Sequence, residues 1–130
     1  MRHTETAMRK ARHTDRLRGT LECSRCGFPW PEALVLGEPI VCAECDANER
    51  GVDTIEAHHL AGRANSSLTI RIGANAHRFL TVAQRAWPST TLRNVEHDRR
   101  IAIAALSRGV ADLFVLVAIC FESDAKDNSS

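Results

Sequence analysis

Three histidines combine residue types and a spacing that suit metal-assisted hydrolysis. His58 and His59 are adjacent, and His77 follows eighteen residues after His59. Cleaving a phosphodiester requires a metal ion to neutralise the phosphate and the leaving oxygen, and a base to take a proton from the attacking water. A neutral imidazole can bind the metal, and an imidazole with a pKa of about 6.5 can act as the base. Because neighbouring side chains of a strand point to opposite faces, we expect His58 and His59 to divide these two tasks.

Four cysteines form two C-x-x-C pairs. Cys23 and Cys26 make the first pair, Cys42 and Cys45 make the second, and 15 residues separate the pairs. This arrangement is typical of zinc sites, because each pair turns tightly enough to direct two thiolates at one ion. Gly27 supports the first turn. Four cysteine ligands leave no open coordination position, so the sequence predicts a structural zinc site, and unligated buried cysteines are the alternative.

Two strands and a helix must position the histidines. Apolar alternation predicts one strand over residues 54–58 and another over residues 67–72, with a glycine-containing loop between them. An amphipathic helix is predicted over residues 75–87, with Asn75 as its N-cap. We expect the apolar face of this helix to dock on the strands, and His77 to lie on the polar face.

This order of strand, loop, strand and helix resembles the HNH endonuclease family. The resemblance covers about residues 52–88. It is carried by two segments, Glu56-Ala57-His58-His59-Leu60-Ala61-Gly62-Arg63-Ala64-Asn65 and Asn75-Ala76-His77-Arg78-Phe79-Leu80-Thr81. The preceding four cysteines also occur in many relatives. The resemblance implies the ββα-metal fold and metal-dependent cleavage of DNA.

The resemblance also implies roles for individual residues. His58 would be the first ligand of the catalytic metal, and His77 would be the second. His59 would be the general base that activates water. Asn65 is matched to the middle asparagine of the family, which holds the loop so that the base is oriented.

The sequence departs from the family pattern at two places. Many relatives carry a cysteine pair before the last histidine, where this chain has Gly73 and Ala76, and Thr81 stands where a third imidazole ligand could follow His77. Two protein ligands suit Mg²⁺, Mn²⁺ or Ni²⁺ turnover better than tightly bound catalytic zinc. Arg63 and Arg78 flank His59 and His77 in sequence, and we expect them to contact DNA phosphate.

Charge is segregated along the chain although the net charge is +1. Residues 21–57 carry eight acids and two basic residues, whereas residues 58–100 carry seven basic residues and two acids. A polyanion such as DNA would therefore meet the histidine segment. The N-terminus lacks the apolar core of a signal peptide, and five cysteines suit metal binding in a reducing compartment. A cytoplasmic location is expected, and small HNH proteins are frequent in phages and mobile elements.

The chain length of 130 residues suits one α+β domain. The expected architecture is a small ββα-metal (HNH) core stapled by a four-cysteine zinc site, with a C-terminal helix. The predicted segments are a basic flexible tail (1–20), the zinc module (21–50), the nuclease core (51–90), the C-terminal helix (91–121) and a disordered tail (122–130). The basic tail could instead lie along phosphates.

The predicted C-terminal helix carries apolar residues at alternating spacings of three and four. They are Ile103, Leu106, Val110, Leu113, Val117 and Cys120. A helix packed on its own domain is the favoured interpretation, and a homodimer through residues 103–120 is the alternative. Arg108 and Asp112 interrupt the apolar run, so a membrane span is not expected. Cys120 is expected to be a core residue.

Two other functions compete with the nuclease. One is a non-catalytic, zinc-stapled module that binds DNA or a protein, and the other is a dimerising scaffold. A binding module has no need of a base beside a metal ligand, and a scaffold does not explain the histidines. The histidines therefore favour the nuclease.

Overall fold

The computed structural model describes residues 21–127. Its elements are a 3-10 helix (Pro31–Ala33), β1 (Leu34–Val35), β2 (Val41–Cys42), α1 (Ala43–Glu49), β3 (Ile55–His59), β4 (Thr69–Gly73), α2 (Ala74–Arg85), α3 (Ser89–Arg93) and α4 (Arg99–Asp127). The strands form two antiparallel hairpins, β1–β2 and β3–β4. The prediction of a small α+β domain is confirmed. The predicted basic tail, residues 1–20, lies outside the described residues.

The cysteine module brings two different turns together. In the first, the Gly27 N–H donates to the Cys23 carbonyl at 2.9 Å, and Gly27 adopts a φ of 77° that favours glycine. In the second, Cys42 ends β2 and is also the N-cap of α1, so the chain reverses as the helix begins. Leu34 and Val41 pack against the cysteines in a small core.

The register of β3 and β4 places the histidine pair at the end of the hairpin that carries the connecting loop. His59 lies opposite Thr69, and His58 lies opposite Ile70. The loop begins with a turn in which the Gly62 N–H donates to the His59 carbonyl at 3.0 Å. Gly62 has a φ of 82°, which the turn requires and which favours glycine. Both strands begin and end slightly later than predicted.

Helix α2 follows β4 without a loop. Gly73 precedes the first helical residue, so Asn75 lies inside the first turn and is not the N-cap that the sequence predicted. Asn75 is buried, and its side-chain oxygen accepts a hydrogen bond from the Glu44 N–H at 3.1 Å. Because Glu44 belongs to α1, this bond joins the cysteine module to α2.

The apolar face of α2 packs mainly on elements other than the strands. Phe79 lies in a core with Trp30 and Leu116, and the hairpin adds Ile72 to this core. The rings of Trp30 and Phe79 are 5.6 Å apart between centroids. The end of β3 meets the polar face of α2 instead, through Gln84. The expectation that the apolar face docks on the strands was therefore wrong for β3, and the aromatic side chains before the 3-10 helix take that place.

The C-terminal region contains two helices rather than the single helix predicted over residues 91–121. α3 ends at Arg93, and Asn94 follows with a left-handed φ of 36° that stops the helix. α4 begins at Arg99 and continues through Asp127, so residues 122–127 are helical where a disordered tail was predicted. Each residue added to a formed helix gains a backbone hydrogen bond, and no glycine or proline interrupts this extension.

One face of α4 is attached to the domain. Ala105 and Leu116 are buried, and the Trp87 indole N–H donates to the Asp112 carboxylate at 2.9 Å. Within residues 21–127, α4 contains one stretch, Arg99–Glu122, whose length and composition would allow it to cross a membrane.

Candidate functional site

The four cysteine Sγ atoms converge on one point. They all lie within 4.8 Å of one another, and the Sγ atoms of Cys26 and Cys42 are 3.7 Å apart. Cys23 and Cys42 are buried, Cys45 is half-buried and Cys26 is exposed. In the part of the chain that the structure describes, this is the one group of three or more His, Cys, Asp or Glu residues placed to hold a metal ion. The cluster fits a structural metal site, as the spacing predicted.

Burial and the close approach of the thiols shift the pKa values of the cysteines in this cluster. Burial raises the pKa of Cys23, but the backbone N–H groups of Cys26, Cys42 and Arg25 outweigh it and lower the pKa to about 6. Burial and the neighbouring thiols raise the pKa of Cys45, and burial is also the main cause of the raised pKa of Cys26. The backbone thus favours one thiolate, whereas several thiolates together need a cation.

The imidazoles of His58 and His77 meet across the interface of β3 and α2. Their ring centroids are 5.2 Å apart, and the ring planes are inclined at 65°. His58 is buried, and this burial, followed by the neighbouring His77 and His59, lowers the pKa of His58 to about 4. His58 is therefore neutral near pH 7, which is the form that binds metals. The structure brings together the two histidines that the sequence assigned to the catalytic metal.

Glu56 is a site residue to which sequence reasoning gave no role. It lies two residues before His58 on β3, and its carboxylate oxygen Oε2 contacts the Nδ1 atom of His77. Strand alternation places residues i and i+2 on one face, so the spacing of Glu56 and His58 was the available signal. A carboxylate on one ring nitrogen orients a histidine and leaves its other nitrogen free to bind a ligand.

His59 lies at the last position of β3 and is half-buried. Alternation directs it to the face opposite His58, although its charge is close enough to affect the pKa of His58. Gln84 of α2 holds this strand end, because its amide donates to the His59 carbonyl at 2.7 Å. The same amide nitrogen is 3.2 Å from His58 Nε2.

Asn65 holds the loop that follows β3. Its side-chain N–H₂ donates to the carbonyl of Ala61 at 3.0 Å and to that of Thr91 at 2.8 Å. Its oxygen accepts a hydrogen bond from the buried Asn94 at 2.9 Å, and Asn94 also bonds to Asp98 before α4. Asn65 therefore fixes the loop against the junction of α3 and α4. Sequence reasoning gave Asn94 no role, because its bond to Asn65 joins residues that are 29 apart in sequence.

A surface cleft of about 370 Å³ lies beside His77. Its walls carry two carboxylates, from Glu32 and Glu56, and two guanidinium groups, from Arg78 and Arg85. Arg78 lies next to His77, and Arg85 follows about two helical turns later. Arg63 is exposed in the loop after β3 and does not line this cleft, so the structure separates the two arginines that the sequence grouped.

Gly109 of α4 supports the residue that follows His59. A Cβ at position 109 would overlap the carbonyl oxygen of Leu60 and lie 2.8 Å from its carbonyl carbon. We expect Gly109→Ala to lower the free energy of unfolding by about 1–3 kcal/mol through overpacking, although alanine would otherwise favour a helix by about 1 kcal/mol. Denaturant unfolding of the metal-loaded protein measures this change.

The control for Gly109 is Ala111→Gly, at an exposed position of the same helix. It makes the reverse change and is expected to cost only the propensity difference of about 1 kcal/mol. A Gly109→Ala protein that is as stable as the parent would contradict the close contact between position 109 of α4 and the Leu60 carbonyl.

Comparisons with family models, with curated proteins and with solved structures gave no match to this chain. The site combines one cluster of four thiols with one pair of imidazoles next to a carboxylate. The thiols can hold a structural metal. The imidazoles and the Glu56 carboxylate lie beside the cleft that Arg78 and Arg85 line.

Proposed function

We propose that the protein is a metal-dependent endonuclease of the HNH type that hydrolyses phosphodiester bonds in DNA. The meeting of His58 and His77 carries this proposal. A neutral, buried imidazole on a strand faces a second imidazole in the first turn of the next helix, as a ββα-metal site needs. The basic residues Arg78 and Arg85 beside His77 support a polyanionic substrate.

The residues near His77 suit a hard or borderline divalent ion. His58 and His77 would bind Mg²⁺, Mn²⁺ or Ni²⁺, and the Glu56 carboxylate adds an oxygen suited to these ions. When bound there, the ion supplies positive charge beside the scissile phosphate and the leaving oxygen. Because few protein groups would hold it, positions remain for phosphate and water.

The chain's own residues would then share the remaining work. His59 takes the proton from the attacking water, because it is half-buried at the strand end and lies off the ligand face. Gln84 and Asn65 keep the strand end and the loop in place, so the imidazole is held in one position. Arg78 and Arg85 bind a DNA phosphate in the cleft. Arg63, which lies outside the cleft, contacts a different phosphate from the loop.

The cysteine cluster is proposed to hold Zn²⁺ as a structural ion. Four thiolates complete a tetrahedron and leave no position for substrate. Through the Glu44–Asn75 hydrogen bond and the contact of Trp30 with Phe79, the cluster fixes the helix that carries His77. Zinc therefore supports the catalytic site without taking part in the chemistry.

Nicking of supercoiled plasmid tests this proposal. The protein is treated with EDTA, its retained zinc is measured, and Mg²⁺, Mn²⁺ or Ni²⁺ is added. We expect nicks only with an added metal, and none from a His58→Gln/His77→Gln variant purified in the same way. The variant controls for a contaminating nuclease. Zinc-loaded wild type that cuts with none of the metals but still binds DNA would favour the non-catalytic, zinc-stapled binding module.

A further inference from the structure

Helix α4 carries an apolar stripe on the side that faces away from the domain. The outer stripe consists of Ile103, Leu106, Val110, Phe114, Val117 and Phe121. Its most exposed members are the two phenylalanines, at 70% each, and Ile103, at 64%. The spacings of three and four residues align these side chains along one side of the helix. The stripe differs from the predicted seam, because Leu113 packs into the core and Cys120, expected in the core, is exposed.

The opposite face of α4 packs against the rest of the domain. Ala105, Gly109 and Leu116 are buried, and Asp112 accepts the bond from Trp87. Leaving the domain to enter a bilayer would expose this face and carry the Asp112 carboxylate into hydrocarbon, at a cost of several kcal/mol. The outer stripe is therefore expected to bind a partner that covers it while α4 stays packed on the domain.

We infer that the outer stripe binds a second copy of this chain, with the two α4 helices antiparallel about a two-fold axis near residue 112. In that arrangement Ile103 faces Phe121 of the other copy, and Leu106 faces Val117. Val110 faces Phe114 beside the axis. The stripe is thus self-complementary, which a closed, isologous dimer requires.

The charges at the two ends of α4 favour the antiparallel direction. Arg99 and Arg100 begin the helix, and Glu122 and Asp124 lie near its end. Within one helix this order opposes the macrodipole, since basic residues suit the C-terminus and acidic residues suit the N-terminus. An antiparallel copy places each basic end beside an acidic end. By helical periodicity, Arg99 and Asp124 lie on the same side as the stripe, so these two residues would pair across the dimer.

The exposed area is sufficient for a dimer. An aromatic side chain buries roughly 150–250 Å², so the exposed fractions of the stripe correspond to on the order of 600 Å² per chain. Two chains would then bury about 1,200 Å², which reaches the lower limit of stable interfaces. The end charges are exposed and add little affinity, but they set the direction, because a parallel arrangement or a single charge reversal would bring like charges together.

Light scattering coupled to size-exclusion chromatography tests the dimer, on the full chain at micromolar concentration. We expect the wild type to have the mass of two chains and Phe114→Glu to have the mass of one. Ala104→Glu is the matched control: it places the same charge at an exposed position of the helix whose i+3 and i+4 neighbours are off the stripe, and it should remain dimeric. Circular dichroism verifies that all three proteins are folded.

A charge exchange tests the direction of the helices. Arg99→Asp and Asp124→Arg are each expected to weaken the dimer, and the double variant is expected to restore it. A wild type that remains monomeric, a Phe114→Glu protein that remains dimeric, or a mass that grows without limit would overturn the antiparallel dimer. Monomers that float with vesicles of phosphatidylcholine and phosphatidylglycerol would assign the stripe to a lipid surface and overturn it as well.

Discussion

Replacing Cys42 with serine is expected to abolish zinc binding and unfold the cysteine module, residues 21–50. Cys42 supplies a central thiol of the cluster, and its Sγ also accepts the Cys45 N–H as the cap of α1. A serine at this position loses the zinc ligand. Metal analysis and hydrogen exchange would show zinc well below one equivalent per chain and loss of protection throughout the module.

The expected loss is large because the module has little other core. Apart from the small side chains of Ala43 and Ala47, its buried aliphatic residues outside the Trp30 core are Leu34 and Val41, and each of these two contributes about 1.5–3 kcal/mol by burial. A structural zinc ion contributes about 10–16 kcal/mol in apparent binding free energy, which is comparable to the whole stability of a domain, about 5–15 kcal/mol. The hydrophobic contacts of the module cannot replace the metal.

Cys120→Ser is the matched control for Cys42→Ser. Cys120 is exposed on α4 and is not a member of the metal cluster, so its replacement should leave zinc content and exchange unchanged. The loss of protection in Cys42→Ser should also extend to α2, because Asn75 is hydrogen-bonded to the module and Phe79 packs against it. A Cys42→Ser protein that keeps one zinc and full protection would contradict a four-thiolate site.

Local spacing made the main features of the site predictable. A C-x-x-C pair fixes two thiols through a tight turn, so the convergence of four cysteines needed only that the two turns meet. Alternation and helical periodicity likewise located the hairpin and α2, and with them His58 and His77. These patterns depend on residues close in sequence, where the geometry of the chain decides the outcome.

The supporting contacts were beyond sequence reasoning because they join distant segments. The sequence predicts that Gln84 lies on the polar face of a helix, yet its side chain donates a hydrogen bond to the carbonyl of His59. The sequence predicts that Asn75 is a helix N-cap, yet its side chain accepts a hydrogen bond from the Glu44 N–H of α1. Asn94 had no predicted role, yet its side chain bonds to Asn65, 29 residues earlier in the chain. In each case tertiary packing, which no periodicity encodes, overrides the local preference of a polar side chain.

His59→Ala is expected to lower the rate of DNA cleavage by about 10²–10⁴-fold, the usual contribution of a general base. The fall should appear in kcat, with the DNA and metal affinities almost unchanged, because His59 lies on the face of β3 opposite His58. The strand end should keep its shape, since Gln84 bonds to the backbone carbonyl of residue 59 and not to its side chain. Single-turnover cleavage of plasmid at saturating metal measures the effect.

The cleavage rate of His59→Ala is to be compared with the rates of two other histidine variants. His97→Asn removes an exposed imidazole outside the site and suits the positive φ of that residue, so cleavage should match the wild type. His77→Ala should raise the metal concentration needed for cleavage, because it removes a ligand. If His59→Ala also shifted the metal requirement, or slowed cleavage less than about tenfold, then His59 would be a ligand or a bystander. The base would then have to be another residue near His77.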